Sequence, residues 1–215
     1  MAERKRPRRT RERILETGLE LFNREGAPRV TTADIADEMG ISPGNLYYHL
    51  GNKDEIVLEL YAQHEAGVLP LFADRSHRPL EVDDLWLWLH VLFEWMWKYR
   101  FLYRDLDQLT SQNDKLGTRF GALFRKGATT VIQLCDGMAA AGALHASRQE
   151  IEALAQNTML VAAYWPSYDR VRQNGLRAPH EANAGRAAYQ VIALFGPYLV
   201  GDARAYLDRL AADYL

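Results

Sequence analysis

The chain has 215 residues, 48% hydrophobic and 25% charged, with a formal net charge of −2. That is ordinary globular composition, enough for one large domain or two small ones, and its overall acidity gives no hint of a nucleic-acid partner. The single cysteine, Cys135, excludes an intramolecular disulfide and suits a reducing cytoplasm, where a lone thiol in an apolar run is most simply a small core residue.

Charge is unevenly spread. Arg4, Lys5, Arg6, Arg8, Arg9, Arg11 and Arg13 crowd the N-terminus against Glu3 and Glu12, as either a phosphate-seeking arm or a solvated tail. No apolar run follows closely enough for a secretory signal. A first helix then carries Ile14, Gly18, Leu21 and Phe22 on one face and stops at Gly26 and Pro28. Thr31 caps a second helix, with Asp34 closing a capping box, Ile35, Ala36 and Met39 facing inward, and Gly40 ending it. Ser42 caps a third with Pro43 in its first position; Asn52 caps a fourth, with Glu55 returning to it. Three short helices over residues 8–50, the last two joined by a tight glycine turn, are the helix-turn-helix pattern.

The rest shows helical period and no sustained strand alternation, with helices expected over 53–71, 82–99, 101–111, 114–141, 148–168, 182–199 and 202–213. Pro79, Gly142–Ser147 and Asn174–Pro179 mark loops. The most apolar run, "LWLWLHVLFEWMW" (Leu85 to Trp97), is too short to span a bilayer and contains His90 and Glu94; it predicts a helix buried on nearly every side. The expected fold is all-α, a three-helix head with its basic arm over 1–52 and a larger helical body over 53–215.

The stretch "ISPGNLYYHLGNKDEI", Ile41 to Ile56, carries the functional signal. At about 100° per residue Leu46 and Leu50 point to the core, Gly44 and Tyr48 fall almost opposite with Asn45 close by, and Tyr47 and His49 take the flanks. An aromatic crest is costly unless something binds it. In a major groove the crest reads base edges and the flanks meet phosphates. Tyr48 would touch thymine methyls, Asn45 an adenine edge, and Gly44 would let the backbone approach. Tyr47, His49 and Ser42 would bond phosphates, Lys53 would add charge at a helix N-terminus, and Thr31 and Thr32 would meet the opposite strand. Half-burial of Tyr47 against the fourth helix is the plainer alternative for that residue.

Enzyme signatures do not survive inspection. "GISPG", Gly40 to Gly44, matches the hydrolase G-x-S-x-G, but a helix precedes it, Pro43 follows the serine, and capping explains Ser42. "HEAGV" at His64 and "HEANA" at His180 lack the second histidine of a zinc helix. His90 and Glu94 stand four apart but lack further ligands, so a satisfied buried pair is expected there, and neither metal nor cofactor. Rival functions are a helical hydrolase using Ser42 and a non-sequence-specific interaction protein.

Arg11 to Ile56, "RERILETGLELFNREG…VTTADIADEMGISPGNLYYHLGNKDEI", resembles the N-terminal domain of TetR-type bacterial transcriptional repressors in the order and spacing of its helices. The resemblance implies DNA contact by Thr31, Thr32, Ser42, Gly44, Asn45, Tyr47, Tyr48, His49 and Lys53. Leu50 replaces the family's usual phenylalanine, and Gly51 an often basic residue, which removes one phosphate contact. The resemblance also implies a homodimer on double-stranded operator DNA, with a C-terminal domain that binds a small effector and resets the spacing of the two heads. The segment from Glu55 to Leu106 is similar to a TetR subgroup near polyhydroxyalkanoate and fatty-acid genes.

The body is rich in aromatics. Of these, Trp95, Tyr99, Tyr103, Trp165 and Tyr168 are candidates to line a pocket, with His90, Glu94, Arg104 and Gln108 as polar partners for a mainly apolar effector, acyl or aromatic in type. Packing as plain core is the alternative for each. Ala155, Met159, Ala162 and Ala163, then Ala184, Ala188, Val191 and Leu194, offer two small-residue faces for a four-helix dimer interface, unless they pack only within the subunit.

Overall fold

The computed structural model describes residues 7–73, 81–172 and 182–212, with the backbone alone at 7–8, 182–184 and 210–212. Arg4, Lys5, Arg6, Pro79, Asn174–Pro179 and His180, and the side chains of Arg8 and Ala184, lie outside what it describes. The helices are α1 (Pro7–Glu25), α2 (Thr32–Met39), α3 (Pro43–His49), α4 (Lys53–Val68), α5 (Val82–Lys98), α6 (Phe101–Arg104), α7 (Leu106–Gln112), α8 (Asp114–Ala140), α9 (Arg148–Arg172), α10 (Ala182–Phe195) and α11 (Asp202–Ala212). Short 3-10 turns, Leu69–Phe72 and Gly196–Tyr198, follow α4 and α10 where Pro70 and Pro197 withhold an N–H. The segment expected as one helix over 101–111 breaks at Asp105, and α9 continues through Pro166 to Arg172. Leu144 and Leu199 form an isolated antiparallel bridge, the one extended pairing among the described residues.

Packing divides the chain elsewhere than between residues 52 and 53. One compact unit contains Met1–Ala66 with Tyr99–Gly117; the other contains Gly67–Lys98 with Thr118–Leu215. Segment 99–117 joins the first because it caps α1. Arg104 donates through Nη2 to the Phe22 carbonyl at 2.6 Å and through Nη1 to that of Asn23 at 3.1 Å, while Asn23 Oδ1 accepts from the Phe101 N–H at 3.1 Å. The last carbonyls of a helix need such donors. Arg104, a sequence candidate for the effector, is thus committed to the head.

Of the inward positions the period predicts, Ile14, Gly18, Leu21, Phe22, Ile35, Ala36, Leu46 and Leu50 are buried and Met39 half-buried, and Ile56 and Leu60 of α4 are buried as well. Phe22 meets Phe101 at 5.2 Å between ring centroids. Deeper along α4, His64 is fully buried beside Tyr61, Tyr99 and Tyr103, and its Nε2 lies 2.9 Å from the Tyr103 hydroxyl. Its Nδ1 has no hydrogen-bond partner among the described residues. Burial pushes the imidazole pKa down to about 4 and the Tyr103 phenol up.

In the second unit α10 lies against α9 and α5, and α11 against α5. α5 is not buried on every side. Leu85, Trp88, Leu89, Leu92, Phe93 and Met96 face inward, Trp88 Nε1 donating to the Leu71 carbonyl at 3.1 Å, whereas Leu87 and Glu94 are exposed and His90 half-exposed. The expected buried His90–Glu94 pair is a surface pair at 3.4 Å: the turn of α5 carries both outward. The face of α9 and α10 offered for a second subunit also needs correction. Ala155, Met159, Ala162, Ala163, Ala188 and Val191 are buried within this single chain, and Leu194 half-buried, where α9 packs on α10 and Met159 reaches Gly127 of α8. Gly127 and Gly67 serve similar close approaches; a Cβ would come within 2.6 Å of Met159 at the first and 2.5 Å of the Trp95 ring at the second. Cys135 is buried, its thiol pushed up to about 12 by desolvation, as befits a core residue.

Two outcomes follow. A histidine whose folded pKa lies below its unfolded value near 6.5 contributes stability above that pH and loses it as pH falls toward 4. Urea unfolding of wild type should therefore weaken, relative to His64→Phe, by up to about 1.4 kcal/mol per pH unit across that window; equal slopes would refute a neutral buried imidazole. Gly67→Ala, which would gain roughly 1 kcal/mol in an open helix, should instead lose about 1–3 kcal/mol against the indole.

Candidate nucleic-acid interface

α3 has seven residues, too few to persist alone. It is held at both ends and on one side. Ser42 Oγ accepts from the Asn45 N–H at 3.2 Å, Pro43 occupies the first turn, and the Leu50 N–H closes on the Leu46 carbonyl at 3.0 Å. Leu46 and Leu50 are buried where α3 meets α1 and α2. The turn before it depends on Gly40, at φ 64°, where the Gly40 and Ile41 N–H groups return to Asp37 and Ala36. Only that left-handed residue lets α2 stop and α3 begin after just two intervening residues.

The opposite face is open. Tyr48 is 82% exposed, and Asn45 and Gly44 are exposed with it; a Cβ at Gly44 would meet nothing within 4 Å. Nothing among the described residues demands a glycine there. The flanks differ from the crest. Tyr47 is 50% exposed, with its hydroxyl 2.9 Å from Thr32 Oγ1, which ties α3 to the first turn of α2 instead of α4. His49 is half-buried and meets the Tyr48 ring edge-on at 5.1 Å.

Several predicted phosphate ligands already have structural work. The Thr31 hydroxyl accepts from the Asp34 N–H at 3.2 Å, while the Thr31 N–H at 2.7 Å and then its hydroxyl at 2.8 Å donate to the Asp34 carboxylate and hold its pKa below the usual range. Ser42 is a cap and sits on a helix-turn-helix, so the strand-to-helix elbow of a nucleophilic serine is not formed. Lys53 Nζ donates to the Ala27 carbonyl at 2.9 Å. Asn52 Oδ1 caps α4 through the Glu55 N–H at 2.8 Å, but Glu55 returns to the Gly51 N–H at 2.7 Å, one residue earlier than predicted. A Cβ on Gly51 would lie 3.3 Å from the end of that exposed carboxylate. Asp54 and Glu55 fill the first turn of α4 and offset its dipole, so Lys53 and not the bare helix end supplies positive charge there.

The effector candidates are divided. Tyr99 and Tyr103 are buried in the first unit around His64. In the second, His90 stacks on Trp86 at 5.2 Å, Trp95 covers Gly67 with Lys98 Nζ 5.1 Å above its ring, and Trp165 packs 5.4 Å from Tyr168. Trp86 Nε1 and Trp165 Nε1 are buried without a hydrogen-bond partner among the described residues, while Tyr168 is exposed and Gln108 faces solvent. The described residues contain no group of three metal-ligating side chains and no helix long and apolar enough to cross a membrane. Sequence reasoning missed His64, visible only as half of a failed zinc motif, and the Arg104–Asp105 clamp, whose partners lie about eighty positions away with no local signal.

Residues 14–60 match the model of bacterial regulatory proteins of the tetR family, and 61–207 match that of a bacterial transcriptional repressor of the same kind. A TetR-family transcriptional regulator from Marinobacter aquaeolei VT8, known from its crystal structure, is 30% identical with a TM-score of 0.84, covering 95% of this chain and 98% of its own. The class D tetracycline repressor of Escherichia coli is 36% identical over 64 residues, 28% of this chain. The regulator TtgR of Pseudomonas putida is 38% identical over 77 residues, 35% of this chain. The matched stretches span only 29% and 36% of those two proteins' lengths. With both family models together spanning head and body, the chain belongs to the TetR family of bacterial transcriptional regulators.

Proposed function

We propose that the protein is a ligand-responsive repressor that binds a near-palindromic operator as a homodimer. A small, mainly apolar effector, acyl or aromatic in type, releases it. One observation carries the DNA half of the proposal: a phenol ring 82% exposed on the crest of a helix whose other face is fully buried. With α3 in a major groove, Tyr48 reaches thymine methyls, Asn45 an adenine edge, and the bare backbone at Gly44 approaches the bases. Tyr47, His49, Ser42, Thr31, Thr32 and Lys53 border the phosphates and fix the register.

The dimer is better served by a face not singled out from the sequence. Leu160, Tyr164, Tyr168 and Val171 are exposed at helical spacing along α9, and Val171 reaches 72%. Four such side chains form one stripe, and a two-fold axis covers it with its own copy. Tyr168 then belongs to the interface more than to a pocket. His90, Glu94, Trp95 and Trp165 remain the candidates for the effector in the second unit, Tyr99 and Tyr103 those in the first. The effector acts by preferring the shape that does not fit the operator, and that preference limits how far it shifts the population.

A random-oligonucleotide selection should enrich an inverted repeat whose half-sites lie about 34–36 Å apart; recovery of sequences without a repeat would sink the assignment. Tyr48→Ala should weaken binding to the selected duplex about ten-fold or more while leaving the urea midpoint unchanged, since the ring packs on little of the subunit. Leu160→Glu with Tyr168→Glu should sediment as a monomer where wild type is a dimer, and an unaltered mass would remove the stripe from the interface.

A further inference from the structure

Lys53 is expected to meet phosphate, yet its ammonium rests on the Ala27 carbonyl at 2.9 Å. The same residue's N–H donates to Asp105 Oδ2 at 2.9 Å. Ala27 is itself buried, and it follows Gly26, whose φ of 104° turns the chain sharply out of α1. So this one residue is gripped from both sides, by the lysine at the start of α4 and by the carboxylate between α6 and α7. Asp105 cannot drift. Arg104 Nε donates to its Oδ1 at 3.2 Å and Nη2 to its Oδ2 at 3.2 Å, while the rest of the guanidinium is fixed on the Phe22 and Asn23 carbonyls. Both charged groups are nearly withdrawn from solvent, at 13% and 9% side-chain exposure. A pair so placed keeps its geometry because breaking it strands a charge.

Building on the operator-binding proposal above, we propose that Arg104 and Asp105 are positioning residues for Lys53. Holding the Ala27 N–H aims its carbonyl, and that carbonyl aims the ammonium. An ammonium has three donors; one is spent on Ala27 and the others are left to face a phosphate. The residues that fix the ammonium's position are therefore about fifty positions further along the chain, in a segment outside the three-helix head. Displacing segment 99–117 frees Ala27 and lets the lysine swing on its four-carbon stem, so the electrostatic part of operator affinity answers to that segment. The base-reading part, carried by Tyr48 and Asn45, does not.

The test is a double-mutant cycle on the full-length protein with the selected duplex, read by fluorescence anisotropy across a salt series. Lys53→Ala should lower the slope of log affinity against log salt by about 0.9, the share of one phosphate on duplex DNA. Asp105→Ala should lower it equally, and the double variant should be no weaker than Lys53→Ala alone. Asp105→Asn, which keeps an acceptor for the Ala27 N–H, should restore the wild-type slope. A purely structural Asp105 would lower the melting temperature, leave the slope untouched and add fully to Lys53→Ala; that result overturns the relay. Should Asp105→Ala not fold, an Asp105→Asn slope as low as that of Lys53→Ala overturns it as well. Failure of wild type to bind any selected duplex would sink the operator proposal beneath it, an outcome distinct from binding with additive variants.

Discussion

Burial of Leu46 and Leu50 is the constraint on which the head is built. A seven-residue helix has almost no stability of its own, so its orientation is whatever its two leucines and its caps impose. Those leucines lie four apart, one turn, and sit under α1 and α2 together. Turning α3 by even one residue would draw Leu46 out of the core and push a tyrosine in. The exposed crest is therefore the other half of the same packing decision, and Tyr48 is held outward by side chains it does not touch. Gly40 sets the second coordinate, since its left-handed turn fixes where α3 begins relative to α2.

On the operator-binding proposal, the polar groups around that fixed helix would serve twice. Thr31, Ser42, Tyr47 and Lys53 were each proposed as phosphate ligands, and each already has a partner within the subunit. That is no contradiction. A hydroxyl can donate and accept, an ammonium has three protons, and a side chain already bonded to its own backbone pays less entropy when a phosphate arrives. The internal bonds act as pre-organisation. On the same proposal they would let an acidic protein approach DNA, because placement of a few donors matters more than net charge.

The head was legible in the sequence because everything that shapes it is local. Capping boxes span three residues, the tight turn needs one glycine, and the wheel of an eight-residue stretch places Tyr48 without reference to anything distant. Helix positions along the body were legible for the same reason, but the helices expected over 53–71 and 182–199 run through the breaks at Pro70 and Pro197, which a periodic pattern alone does not register. What the sequence hid depends on pairs far apart. No spacing links Ala27 to Asp105 or His64 to Tyr103, so Arg104 looked like a free polar group and His64 like a failed zinc ligand. His90 and Glu94 misled in the opposite direction: an apolar run implied burial, but the helical turn carries both to the surface.

The small residues of α9 and α10 show how a correct principle can be applied to the wrong pair of surfaces. Small side chains do permit close helix approach, and here α9 and α10 pack together within one chain, with Ala155, Ala162, Ala163 and Ala188 already buried there. Once that face is used, α9 has only its other side to offer. That side carries Leu160, Tyr164, Tyr168 and Val171, larger and more apolar than a solvated surface tolerates in a row. Side chains of that size suit a contact formed after folding, because two finished surfaces meeting across a two-fold axis need area and rigid anchors more than close backbone approach. On the proposed dimer, the division of labour along α9, with alanines facing its own chain and aromatics facing out, would follow from the order in which the two contacts form.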